Sequence, residues 1–188
     1  MALFTRKITL YALILIISAL WVWISRAPIG STTNGVIPAP QKGFLAPDFS
    51  LHNSDGGTIK LSELRGRPVL LNIWASWCSP CKAEMPALER AYQSYATQDF
   101  VILGVNATNQ DDAAQAISFV EDQGLTFPVL FDEDGEVSHS YHVRALPSSF
   151  FIDSQGIIRD IVVGGPMSEA LLQIRIQQLI NPDQKETP

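Results

Sequence analysis

Two residues of this chain could act as a covalent pair: Cys78 and Cys81, its only cysteines, separated by Ser79-Pro80. A thiolate is a nucleophile, whereas a free thiol with a pKa of ~8.5 is mostly protonated at neutral pH. Sulfur at the start of a helix is favoured as an anion by the unpaired N–H groups of the first turn and by the helix dipole. Closing so short a loop removes little chain entropy, so a bridge here is a poor structural staple and suits a bond that opens and closes. In such exchange one thiolate attacks a client disulfide and the second thiol releases the mixed disulfide. Cys78 is the expected nucleophile and Cys81 the resolving thiol, so a redox disulfide Cys78–Cys81 is expected.

The neighbouring patterns supply the elements that must hold this pair. Val69 to Trp74 is a nearly continuous apolar run, as in a strand buried on both faces of a parallel sheet. After it, Pro80 falls in a first helical turn, where a missing N–H costs nothing, and Met85, Leu88, Tyr92 and Tyr95 recur at helical spacing. The dithiol therefore lies where a strand hands over to a helix. Phe100 to Val105 reads as a second buried strand, and Asp111 to Gln123, stopped by Gly124, as a second helix. Phe127 to Phe131 predicts a short strand, Asp132 to Gly135 a turn and Glu136 to His142 a short helix. Ser148 to Ile152 and Ile157 to Val163 predict a hairpin, and Ser168 caps a last helix with the face Leu171, Leu172, Ile176 and Leu179. Upstream, Pro47 to Leu51 and Thr58 to Leu61 flank turn residues 53–57 and predict another hairpin. Two strand–helix alternations make the fold class α/β.

At 188 residues, 46% hydrophobic and 17% charged, the chain is long enough for one domain with a buried core, but one segment inflates the apolar count. Ile8 to Ser25 holds no charge, with Arg6 and Lys7 before it and Arg26 after it. This length just spans a bilayer core, and Tyr11, Trp21 and Trp23 lie toward its ends, where aromatic rings favour the interface. A cleaved signal peptide has an apolar core of about 7–15 residues and a small-x-small site. Here the nearest such site, Ser25-Arg26-Ala27, carries Arg and precedes Pro28. The expected layout is a cytoplasmic N-terminus over 1–7, a transmembrane signal anchor over 8–25, a flexible linker over 26–46, a folded domain over 47–182 and a tail over 183–188. The basic residues before the span place the catalytic domain outside the cytoplasm, on the periplasmic side in a bacterium. Residues 28–188 keep 10 of the 13 basic and all 19 acidic residues, a balance that excludes the basic footprint of nucleic-acid binding.

A Cys-x-x-Cys pair is also half a zinc site, but only His52, His139 and His142 could complete one, and no second Cys pair exists. No metal or other cofactor is expected. His139 and His142, three apart in a short polar segment, read as a surface face.

Trp74-Ala75-Ser76-Trp77-Cys78-Ser79-Pro80-Cys81 after a buried strand resembles the thioredoxin superfamily. Ala46-Pro47-Asp48-Phe49 upstream, Glu84 and Pro86 downstream, and the extra strand–helix material between Phe100 and Gln123 resemble its membrane-anchored TlpA/ResA branch. The resemblance covers about Pro47 to Leu179. It implies a thioredoxin-like fold: a central mixed sheet flanked by helices, with an N-terminal hairpin and an inserted strand–helix unit. Asn72 stands where general thioredoxins hold a buried acid, which leaves Glu84, i+3 from Cys81 on the same helical face, as the candidate proton handler. The bland alternative for Glu84 is a solvated first-turn glutamate beside Lys82. Pro147 falls where the superfamily has a cis-proline, preceded here by Leu146, and these two with Trp77 and Pro80 are the expected client contacts. Trp74 reads as core.

The activity implied is protein-disulfide reduction by a monomer that draws electrons from a membrane thiol transporter. Clients implied are the haem-attachment cysteines of apocytochromes c or the copper-site cysteines of an oxidase. Direction is not set by the motif, since Cys-x-x-Cys proteins span roughly −270 to −120 mV. Two alternatives stay open. Ala46 to Leu51 also resembles the opening of peroxiredoxin-like peroxidases, and a thiolate pair could serve a metallochaperone as a Cu(I) ligand.

Overall fold

The computed structural model describes Tyr11, residues 13–18, Leu20, Trp21 and residues 37–181. It divides the chain into two units, Met1–Ile37 and Pro38–Pro188. In the first, Tyr11, residues 13–18, Leu20 and Trp21 are helical, Ile37 is not, and all of these are exposed. Half of the expected span 8–25, like the expected N-terminus 1–7 and tail 183–188, lies outside the described residues. Among those described, no helix is long and apolar enough to cross a membrane.

The second unit begins with a hairpin, β1 (Ser50–His52) and β2 (Thr58–Lys60), that pairs Leu51 with Ile59. There follow β3 (Val69–Trp74), α1 (Ser79–Tyr95), β4 (Val101–Asn106), α2 (Ala113–Gln123) and β5 (Val129–Phe131). The chain continues with α3 (Glu136–Ser140), β6 (Ser148–Ile152), β7 (Ile158–Val163) and α4 (Glu169–Ile180). The five-stranded sheet runs β5-β4-β3-β6-β7, with β3, β4 and β5 parallel and the β3–β6 and β6–β7 pairs antiparallel. This is the mixed-sheet α/β architecture expected from the sequence.

The apolar run of β3 has a direct physical cause. It is the central strand, all six of its residues are buried, and its alternate side chains feed two cores. Leu70 and Trp74 join Met85 and Leu88 of α1 and Ile176 of α4 on one face. Leu71 and Ile73 join Leu103, Val105, Tyr141 and Phe150 on the other. Asn72 has the parity of Leu70 and Trp74, so this amide points among apolar side chains toward α1. Where β4 passes the Phe127 ring the chain has Gly104, and a Cβ there would come 2.8 Å from the ring.

Three details depart from the sequence expectations. Residues 38–46 of the expected linker lie against the domain. Gly43 N–H donates to the Ile158 carbonyl at 2.8 Å, Ile158 N–H to Phe44 at 2.9 Å and Ala46 N–H to Gly156 at 2.9 Å, with Leu45 and Ala46 buried. Backbone pairing to the start of β7 orders this stretch, and such pairing leaves no periodic trace in so short a segment. The helix expected over Glu136 to His142 ends at Ser140, and His142 turns to a left-handed φ of 51°. A second cis X-Pro bond, Gly165–Pro166, joins the anticipated Leu146–Pro147.

Candidate active site

Cys78 is the N-cap of α1, and its sulfur takes the place of the usual cap oxygen by accepting the N–H of Cys81 at 3.3 Å. A donor so placed favours negative charge on Cys78 Sγ. The turn leading into the helix is closed by the Cys78 N–H donating to the Ala75 carbonyl at 3.1 Å. Cys78 and Cys81 are joined as a disulfide with their Cα atoms 5.2 Å apart. Cys78 keeps 4% of its surface exposed and Cys81 none, so an incoming client can meet only the first sulfur.

Glu84 does not sit in solvent beside Lys82. It is 2% exposed, while the Lys82 ammonium lies over the Phe119 ring. Its Oε1 accepts from Asn72 Nδ2 at 2.8 Å and its Oε2 from the Met167 N–H at 3.0 Å. Burial pushes the Glu84 carboxyl above the usual range, and the bonds from Met167 and Asn72 pull part of the way back. A carboxyl whose proton affinity is raised in this way is suited to take up and return a proton. Asn72 Nδ2 also donates to Ser149 Oγ at 3.0 Å, its partner in the β3–β6 register, and Asn72 Oδ1 has no protein partner. Asn72 is thus the side-chain donor that grips Glu84.

Ile73 faces Ser148 across β3–β6, which puts the cis Leu146–Pro147 bond at the same sheet end as the 75–78 turn. Leu146 packs against the core cluster that contains both cysteines. The Pro147 carbonyl accepts the Gly164 N–H at 2.8 Å. Gly165 then passes so close that a Cβ would lie 2.7 Å from Pro147 Cγ and 3.0 Å from Glu84 Oε2. One loop before α4 therefore touches both the proline and the carboxyl. Ser149, Gly165 and Met167 escaped sequence reasoning. Gly164-Gly165-Pro166 ahead of the Ser168 cap was the available signal for this loop.

Trp77 is 57% exposed and its indole N–H donates to the Gln110 carbonyl at 2.9 Å, so the ring stands at the rim of the dithiol with its polar atom tied down. Pro80 occupies the first turn of α1, half-buried. Trp74 is fully buried against Phe119, with ring centroids 5.6 Å apart. His52 Nδ1 meets Thr58 Oγ1 within the β1–β2 hairpin, and among the described residues no group of three His, Cys, Asp or Glu is placed to hold a metal ion.

Residues 43–161 match the AhpC/TSA family. The thiol-disulfide oxidoreductase ResA of Geobacillus kaustophilus is 39% identical over 122 residues, which cover 65% of this chain and 69% of that protein. A Chlorobium tepidum structure assigned as a thiol:disulfide interchange protein DsbE superposes with a TM-score of 0.69 at 33% identity, covering 74% of this chain and 98% of that one. A secreted Mycobacterium tuberculosis disulfide oxidoreductase homologous to E. coli DsbE superposes with a TM-score of 0.64 at 27% identity, covering 70% and 96%. With its Cys78–Cys81 pair on a thioredoxin-like α/β fold, the chain belongs to the ResA-like thiol–disulfide oxidoreductases of the AhpC/TSA family.

Proposed function

We propose that this enzyme is a membrane-tethered, extracytoplasmic reductase of client protein disulfides, of the kind that serves cytochrome c maturation. The observation that carries the reading is the buried Glu84, one helical turn after Cys81 and gripped by Asn72 and the Met167 N–H. Cys78 thiolate attacks one client sulfur, and the other leaves as a thiolate that takes a proton. Cys81 then loses its proton to Glu84 and attacks Cys78 Sγ. The second client sulfur is expelled, and Cys78–Cys81 closes as the client gains two electrons. A carboxyl in a desolvated place beside the resolving thiol suits that transfer. Trp77, Pro80, Leu146 and Pro147 frame the opening through which the client strand reaches Cys78.

The tether is the apolar run 8–25, and the secreted M. tuberculosis relative is in keeping with an extracytoplasmic domain. Reduction there requires electrons from a membrane thiol transporter that reopens the disulfide by the reverse exchange. Clients are the haem-attachment cysteines of apocytochromes c or the copper-site cysteines of an oxidase. The test is Cys81→Ser in the native organism, followed by mass spectrometry of what it traps. A mixed disulfide through Cys78 to one of these clients is expected, and none should form with Cys78→Ser. Trapping through Cys81 in Cys78→Ser would reverse the roles. Peroxide turnover at Cys78 faster than protein-disulfide reduction would replace the reductase with a peroxidase.

A further inference from the structure

We propose that Asp111 is a positioning residue of this active site, a carboxylate that holds Ser76 and thereby sets the Trp77 ring where a client protein docks. The carboxylate lies in the segment between β4 and α2, 35 residues from Ser76 in sequence. Four donors converge on it: Ser76 N–H at 2.5 Å and Asn106 Nδ2 at 2.7 Å on Oδ2, Ser76 Oγ at 2.6 Å and Asp112 N–H at 2.9 Å on Oδ1. A carboxylate offers about four acceptor sites, and all are filled. Asn106 is itself held, since its Oδ1 accepts Thr108 Oγ1 at 2.9 Å.

Two further bonds join the same segments. Ala107 N–H donates to the Trp74 carbonyl at 2.9 Å, and the Trp77 indole N–H donates to the Gln110 carbonyl at 2.9 Å. Residues 106–111 are therefore stitched to Trp74, Ser76 and Trp77, the last stitch one residue before Cys78. Ser76 is buried, and its hydroxyl and N–H both donate to Asp111. Without the carboxylate, two buried donors lose their partner, and the loop that carries the exposed indole loses the bond that sets its height.

Desolvation acts to raise the Asp111 carboxyl, but the bonds from Ser76, Asn106 and Asp112 outweigh it and hold the group below the usual carboxylate range. A depressed value means that the stabilisation is complete above the ordinary aspartate pKa and is lost only as pH falls through the lower one. The clamp is thus constant above the ordinary aspartate pKa, and its removal acts on docking rather than on proton transfer.

This inference rests on the reading of the dithiol as client-facing, and the experiment separates the two. Full-length protein and the variants Asp111→Asn, Ser76→Ala and Ser76→Thr are assayed with insulin as the protein disulfide and dithiothreitol as the electron source, and, after reduction and removal of dithiothreitol, with dithiobis(nitrobenzoate) as the small disulfide. Melting temperatures are recorded alongside. For Asp111→Asn and Ser76→Ala, KM for insulin should rise about tenfold, the scale of a lost hydrogen bond to a charged group. The small-disulfide rate should stay within about twofold, since that reaction needs only the thiolate. Ser76→Thr keeps the hydroxyl and should restore KM. Tryptophan emission should change in Asp111→Asn and cease to change when Trp77 is also Phe. An unchanged KM in folded variants, or parallel loss on both substrates, overturns the clamp. Wild-type protein that fails to speed insulin reduction sinks the client-reductase reading instead, and the clamp then stands or falls on the Trp77 emission.

Discussion

Glu84 shows how much a single residue can owe to its surroundings. Its sequence position put it one turn after Cys81, compatible equally with a solvated helix-start glutamate and with a proton handler. Burial at 2% exposure and bonds from Asn72 and Met167 place it among groups that shift its proton affinity upward, with desolvation as the largest cause. The sign for stability follows. Between the ordinary glutamate pKa and the raised one, the folded state keeps a proton that the unfolded chain has released, so stability falls as pH rises through that window. Glu84→Gln removes this loss. It should raise the melting temperature at pH 8 and leave it nearly unchanged at pH 4, and an equal effect at both would show that Glu84 carries no such shift. The same variant should slow release of the mixed disulfide by about 10²-fold at neutral pH, the lower end of general acid–base assistance, and flatten its pH profile. Stopped-flow measurement of client release reads both.

At the scale of elements, α3 is the piece least able to form alone, because five residues cannot repay helix nucleation. Asp132 makes it possible. This fully buried carboxylate accepts the Val137 N–H at 3.0 Å, the Ser138 N–H at 2.8 Å and Ser138 Oγ at 2.7 Å. It therefore anchors the path that leads through Tyr141 to the cis Leu146–Pro147 bond. Asp132→Ala would strand these donors, and unfolding in urea should show a loss of about 3 kcal/mol, the scale of one or more buried donors left unpaired. A change below about 0.5 kcal/mol, the size of an ordinary surface substitution, would show that α3 stands without it. By contrast α1 and α2 were legible in advance. Their apolar spacing is local, and so are their stops, since Asp112 caps α2 at its start and Gly124, at φ 61°, ends it.

At the largest scale, the unit Pro38–Pro188 is held by two cores on opposite faces of one sheet, and β4 feeds both as β3 does. Leu103 is fully buried in the core away from the α1 face, so Leu103→Ala should cost about 2–5 kcal/mol by chemical denaturation. The rate of disulfide exchange per folded molecule should stay unchanged, because the dithiol and Glu84 lie on the other face. A fall in that rate without loss of stability would mean that the two faces are coupled. Tyr141 shows the reach of this packing: its hydroxyl donates to the Pro47 carbonyl at 2.8 Å across 94 residues, tying the entrance of the domain to the segment before Pro147.

The sequence alone determined the dithiol, its place between a buried strand and a helix, the α/β class and most element centres. These depend on residue types and periodicities within a few positions of one another, and local pattern is sufficient to read them. Only the tertiary structure decided what surrounds the sulfurs. Glu84 meets Met167 across 83 residues and Asn72 meets Ser149 across 77, while Ser76 meets Asp111 across 35. Such meetings follow from strand order and register, which bring distant backbone together. The stretch 38–46 likewise is ordered by hydrogen bonds to a strand more than a hundred residues later, and nothing in its own composition reveals that partner.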